Sequence, residues 1–412
     1  MTHPYTRLLE DRGIRTFWGG VALSAVGSEL YAFGAIWLAV SIAGADGSFL
    51  ATARFTAILV MSLAAGAFFD LMPRRALLIG ADLVRAAFSL IVVVVAVVDG
   101  LTLPLLILVS TVLSAAGAVY QPALQSGLPS LANDPGRLRE TNGLFDATAR
   151  TAQVAGPFLA AALTSVLPVI HLLTINAASY LASAGAVAHM GRRLEGTTGS
   201  APPAPVWQRL SRGVRAAGNC PGSWRILLTT GVRAGAYVLG FVISVPLYFA
   251  EAPESGLDGA TSVALVLGAT AAGEVLSNLK IVTMQLRDPW RFMFLGYAGI
   301  GAGLALIAAA QALLPPLHQF PVLIALGFAL GVGGSMAGIQ MQTFFGSRMD
   351  AGDFAAVLRL RLMLVTGAAV ASTALGPWLF GAFGIPATIG ACGVTLLAAA
   401  MPGVLSKDPG GS

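Results

Sequence analysis

Charged side chains interrupt otherwise apolar stretches at Glu29, Arg54, Asp82, Arg85, Asp146, Arg150, Arg233, Glu274 and Lys280, and two more, Arg359 and Arg361, open another such stretch. A carboxylate surrounded by apolar side chains has its pKa raised by desolvation and lowered by a nearby arginine. Glu29, Glu274 and Asp146 are therefore candidates for groups that take up and release a proton. A guanidinium grips a carboxylate through two parallel hydrogen bonds. Arg150 and Arg233, with Arg54 nearer one end of its run, could attract an anion. The competing reading is structural. Asp82 and Arg85 stand three residues apart, and Asp146 and Arg150 four, which are the spacings of same-face pairs on a helix. Such pairs can hold helices together or form a gate. Lys280, Arg359 and Arg361 lie near the ends of their runs, where a long side chain can reach the polar surface.

These residues need long helices to carry them. The chain has 412 residues, of which 56% are hydrophobic and 10% charged, and its mean hydropathy is +0.79. A soluble domain carries far more surface charge. About 20 consecutive apolar residues cross a bilayer core as a helix, and backbone groups in lipid must be bonded internally. The short alternating strands of an outer-membrane barrel are not visible. The expected class is an all-α membrane protein with twelve transmembrane helices, at residues 16–43, 49–69, 76–98, 104–127, 141–166, 168–190, 224–250, 259–285, 291–313, 320–346, 354–381 and 385–405. The polar first fifteen residues and the length of the first run speak for a spanning helix rather than a cleaved signal.

Loop charges orient this map. Arg7, Arg12 and Arg15 precede the first run, Arg74 and Arg75 follow the second, and Arg137 and Arg139 follow the fourth. Arg192 and Arg193 follow the sixth, Arg287 lies after the eighth, Arg348 after the tenth and Lys407 after the last. The alternate loops carry Asp46, Asp99, Glu251, Glu254 and Asp258, and no Lys or Arg. Positive loops stay in the cytoplasm, which predicts that both termini are cytoplasmic. The net charge of +5 thus reads as membrane orientation and excludes nucleic acid as a partner. The stretch 191–223 splits the runs six and six, giving a first half at 1–190, a linker and a second half at 224–412. The linker begins Gly-, Ser-, Thr- and Pro-rich. Its second part places Trp207, Leu210 and Val214 on one face among Arg209, Arg212 and Arg215, as in a helix at a membrane surface or an exposed basic linker. Cys220, Cys392 and four scattered histidines offer no metal-ligand set. Phosphate loops and catalytic triads are absent, so neither a cofactor nor an enzyme is expected.

The two halves look related. Gly156-Pro157-Phe158-Leu159 in the fifth run is matched by Gly376-Pro377-Trp378-Leu379 in the eleventh. Parallel six-helix repeats are one plan of secondary transporters. Between the second and third runs stands Gly66-Ala-Phe-Phe-Asp70-Leu-Met-Pro73-Arg74-Arg75, which resembles the signature of the major facilitator superfamily, with Pro73 where that family usually has Gly. The Gly156-Pro157 segment resembles the family's exporter motif. Ala81-Asp82-Leu83-Val84-Arg85, Tyr120-Gln121-Pro122-Ala123, Leu128-Pro129, Asn142-Gly143-Leu144 and Gln340-Met341-Gln342-Thr343 are similar to the bacterial branch around the enterobactin exporter, which also holds macrolide and siderophore exporters.

The resemblance implies two six-helix halves rocking about a central site lined by the first, fifth, seventh and eighth runs. It also implies a monomer in the bacterial cytoplasmic membrane. Gly66, Asp70, Arg74, Arg75, Asp82, Arg85, Gly156 and Pro157 become gating and motif residues. Glu29, Glu274 and Asp146 become proton-coupling candidates, and Arg150, Arg233, Arg54 and Gln340 substrate-binding candidates. With no ATPase domain, export would draw on protons. The arginines favour an anionic substrate such as a carboxylate siderophore; a broad drug or antibiotic exporter is the main alternative, ahead of a nutrient importer and a non-transporting sensor. Gly66, Gly117, Gly156, Gly331, Gly333 and Gly334 are read as sites of close helix approach.

Overall fold

The computed structural model describes residues 4–68, 72–98, 100–131, 135–194, 206–251 and 257–409. Among these the chain is all helical. After the short α1 (Pro4–Leu8) come α2 (Arg12–Ala43), α3 (Ser48–Phe68), α4 (Arg74–Val97), α5 (Leu103–Gly127), α6 (Pro135–Thr164) and α7 (Ile170–Met190). Then follow α8 (Val206–Asn219), α9 (Ser223–Tyr237), α10 (Ser244–Glu251), α11 (Gly259–Ile281), α12 (Pro289–Leu313), α13 (Pro316–Arg348), α14 (Ala351–Phe383) and α15 (Ile385–Leu405). Ten helices among the described residues are long and apolar enough to cross a membrane, so this is a multi-pass membrane protein. Two features separate ten from the expected twelve. Residues 12–64 form one continuous run, because only a single turn, Gly44–Gly47, separates α2 from α3. The helix α6 is too polar to count, since it carries Arg137, Arg139, Glu140, Asp146 and Arg150.

Aspartates set the starts of several helices. Asp258 accepts from the N–H groups of Ala260 and Thr261, Asp288 from that of Arg291, and Asp350 from that of Asp353. Each satisfies a donor that the first helical turn leaves open. Asp11 does the same for α2, accepting from Gly13 at 2.8 Å and Ile14 at 3.2 Å, and it pairs with Arg193 at 3.2 Å. The Ile14 N–H, then the Gly13 N–H and Arg193, outweigh partial burial and hold its carboxyl below the ordinary 3.8. A depressed folded pKa means that this contribution is full above the unfolded value and is lost as pH falls through the folded one. Asp11→Ala is expected to cost about 1 kcal/mol at neutral pH. In thermal melts, the gap from the wild type should close as the pH drops below 3.8.

The run expected at 224–250 is interrupted. A π-helical turn, Val238–Ile243, joins α9 to α10. Pro246 lacks the N–H that would continue the regular ladder, and just before it the Ser244 N–H and hydroxyl both donate to the Leu239 carbonyl, the hydroxyl at 2.7 Å. A proline and a widened turn are recognised causes of a bend. The α7 C-terminus is closed by Gly191, whose φ of 62° suits the residue just past a helix end. Arg75 donates to the nearby Ala188 carbonyl at 3.1 Å.

Contacts divide the chain into two compact units, residues 1–38 with 57–203, and residues 39–56 with 204–412. In the first, Phe17, Leu78, Tyr120, Phe145 and Val187 bring α2, α4, α5, α6 and α7 into one core. Gly20, Gly27 and Gly34 recur every seven residues along α2 and meet Ala186, Ser179 and Leu173 of α7 in reverse order, an antiparallel seam in which small residues let backbones approach. In the second unit, Gly301 and Gly393 meet each other across α12 and α15, Gly296 and Gly333 across α12 and α13, and Gly273 and Gly331 bring α11 against α13. Segment 39–56 groups here because the Ser48 hydroxyl donates to the Thr373 carbonyl and the Thr52 hydroxyl to the Thr373 hydroxyl. The linker helix α8 also belongs to this unit. Its Gly213 rests against α14, where a Cβ would come within 2.7 Å of the Ala356 carbonyl, and Arg212 pairs with Asp353 at 2.8 Å. Trp207 and Val214 stay exposed.

Candidate functional site

Each unit encloses its own polar cavity. The first, of about 530 Å³, is walled by Ser24, Ser28 and Glu29 of α2, Arg85 of α4, Tyr120, Gln121 and Gln125 of α5, and Asn142, Asp146 and Gln153 of α6. Glu29 is half-buried, and Gly156 of α6 lies directly against its Cβ. A side chain at 156 would push α6 off α2 at this carboxylate, so the close approach expected at this glycine is present, with Glu29 as its partner. Pro157 sits next to it within α6.

Behind the wall lies a buried ion pair. Asp82 is wholly buried, and Arg85 is 6% exposed. The Arg85 guanidinium donates to one Asp82 oxygen and lies 4.3 Å from the ring centres of both Tyr120 and Tyr180. The Tyr120 hydroxyl bonds Ser183, and that of Tyr180 bonds Ser28. The second Asp82 oxygen has no hydrogen-bond partner. The pair expected from spacing is therefore a desolvated one, caged between two π faces that attract cations.

Several candidates are placed differently from the sequence expectation. Arg150 is 62% exposed, paired with Asp146 at 2.8 Å, and lines neither cavity. Arg54 is half-buried on α3 and lines neither cavity. Gln340 is buried, and its neighbour two residues on, Gln342, faces the second cavity instead. Gly117 and Gly334 meet no neighbour where a side chain would extend, so neither mediates a close approach, whereas Gly156, Gly331 and Gly333 do. Asp70 and the surroundings of Gly66 lie outside the described residues. Arg74 is half-buried at the start of α4.

The second cavity, of about 250 Å³, gathers Arg233 and Tyr237 of α9, Thr270 and Glu274 of α11, Tyr297 of α12, Gln342 of α13 and Arg361 of α14. Tyr297 is fixed by a 2.8 Å bond between its hydroxyl and that of Thr230. Arg361 was expected to reach for the surface. Instead it turns into the cavity, with its Nε buried and without a partner. The signal that could have found it was its helical phase: Arg359 is exposed on the opposite side of the same turn. A separate, almost wholly apolar groove of about 560 Å³ runs between α9, α14 and α15 past Leu239, Leu375 and Cys392. No His, Cys, Asp and Glu grouping suited to a metal occurs among the described residues.

No protein-family model matches the chain. Among solved structures it is similar to a bacterial homologue of the iron transporter ferroportin in an inward-facing state, with a TM-score of 0.71 at 14% identity over 96% of this chain and 99% of that one. It is also similar to a mutant form of the peptide transporter POT, with a TM-score of 0.68 at 11% identity over 94% and 93%. The chain shares the fold of these two transporters. The chain is further 28% identical over 320 residues to the multidrug efflux pump Tap of Mycolicibacterium fortuitum, covering 74% of this chain and 75% of that protein.

Proposed function

We propose that this protein is a secondary active exporter of small organic molecules, with multidrug efflux as the leading reading. The similarity to the efflux pump Tap across three quarters of both chains carries it. In this reading the chain spans the bacterial cytoplasmic membrane twelve times as a monomer. The polar α6 is then a span that faces the transport pathway, and α2 and α3 count as two. The six-helix halves meet at 191–223, and both termini are cytoplasmic. The halves alternate in access, and proton uptake by Glu29 or Glu274 supplies the energy. Asp146 is the weaker proton candidate because Arg150 already neutralises it.

Drug susceptibility of strains with and without the gene tests this directly. Loss of the gene should raise sensitivity to several unrelated drugs several-fold, and a protonophore should abolish efflux from the intact strain. An unchanged panel would overturn the drug reading. The second reading is export of a carboxylate siderophore, in keeping with the enterobactin-exporter resemblance. The excess of arginine over acid in the second cavity favours it. Its signature would be a metal-chelating carboxylate retained in iron-starved cells that lack the gene.

A further inference from the structure

We infer that Arg233 and Arg361 form a clamp for a carboxylate group, so that the cargo of this protein is a molecule bearing at least one carboxylate. The inference rests on the transporter reading but narrows it, and it applies to drug and metabolite alike. The two guanidiniums come from different helices, α9 and α14, and open into one cavity of about 250 Å³. They are electrostatic neighbours of like charge. Among the described residues neither makes an ion pair or a hydrogen bond, although six other ion pairs are formed. The Arg361 Nε is shut away from other donors and acceptors. Two unpaired guanidiniums at membrane depth are costly, and a low-dielectric wall makes each a stronger donor to an anion that arrives.

Glu274 shares the cavity but holds neither arginine in an ion pair. Its single charge leaves the lining net positive. The geometry suits exchange: a cargo carboxylate occupies the arginines, and Glu274 is the acid that competes with it. The flat Tyr237 ring and the small lining residues Gly331, Gly334, Ala337 and Gly338 leave space for the body of a small planar molecule. The paired Arg150, which the sequence grouped with Arg233, lies in the other unit, lines neither cavity and takes no part.

The test uses the purified full-length protein in nanodiscs and a matched probe pair, salicylate and salicylamide. Calorimetry should give salicylate at least tenfold tighter binding than salicylamide. Salicylate, and not salicylamide, should protect Arg233 and Arg361 from phenylglyoxal, read by peptide mass spectrometry. Arg361→Gln and Arg233→Gln should each remove the preference, and Arg361→Lys should restore part of it. Glu274→Gln should tighten salicylate binding several-fold, a gain that a misfolded variant could not mimic. Equal affinity for the two probes, binding of neither, or a preference that survives Arg361→Gln would overturn the clamp. Because the readout is binding, an intact clamp in a protein whose loss leaves drug and siderophore export unchanged would sink the exporter reading alone.

Discussion

Arg85→Met is expected to cost about 3–5 kcal/mol, because it strands a buried charge. Asp82 is wholly buried, and its one ionic partner is Arg85, three residues along the same helix. Removing the guanidinium leaves a carboxylate with one oxygen already unpartnered and the other newly so. The variant must then either hold a charge in a low-dielectric core or take up a proton. It also loses the cation between Tyr120 and Tyr180. The double variant Asp82→Asn, Arg85→Met should recover a large part of the loss, since apolar or neutral replacement of both partners is far cheaper than breaking one. Reversible unfolding in mixed micelles, run as a double-mutant cycle, measures both. If the single variant is no less stable than the double, the charge pair does not organise this core, and the tyrosine and serine network does.

Helix positions were legible because they rest on one constraint, the need of an apolar segment in lipid to satisfy its own backbone. The expected 385–405 is α15 to the residue, and the expected 104–127 differs from α5 by one. The expected 141–166 begins six residues late. Arg137, Arg139 and Glu140 look like loop in an apolarity reading but form the polar first turns of α6. The π turn in the run from α9 to α10 left no mark in hydropathy, although Pro246 was there to be read. Sites were less legible, because spacing gives the relative phase of two residues but not which phase faces a cavity. Asp146 and Arg150 fit a same-face pair and are one, but their exposure depends on neighbours that sequence does not name. Arg361 differs from Arg359 by two residues, and that rotation turns one inward and leaves the other exposed. The glycines show the same limit. Gly331 and Gly334 differ by three residues and have opposite surroundings, whereas the seven-residue recurrence of Gly20, Gly27 and Gly34 was a readable periodicity.

That contrast sets the second large effect. Gly331→Leu is expected to destabilise the second unit by on the order of 3 kcal/mol, with a matching fall in folded yield. A Cβ at 331 would overlap the Thr270 carbonyl and come within 2.7 Å of the Glu274 nitrogen, both backbone atoms of α11. A flexible side chain could yield, but a helix backbone in a packed bundle cannot move without opening the seam that Gly273 and Gly327 also hold. Because residue 270 and residue 274 are cavity-lining positions, the shift would also displace Glu274 from Arg233 and Arg361. Gly334→Leu is the internal comparison. Nothing lies within 4 Å of its Cβ position, so stability should stay within about 0.5 kcal/mol of the wild type. Its side chain would enter the cavity, however, and transport should fall while the melting curve does not. Thermal melts and a transport assay on both variants separate packing from occupancy. Equal destabilisation by the two would mean that helix propensity, rather than close approach, makes glycine necessary in α13, and unimpaired transport by Gly334→Leu would mean that cargo does not use this cavity.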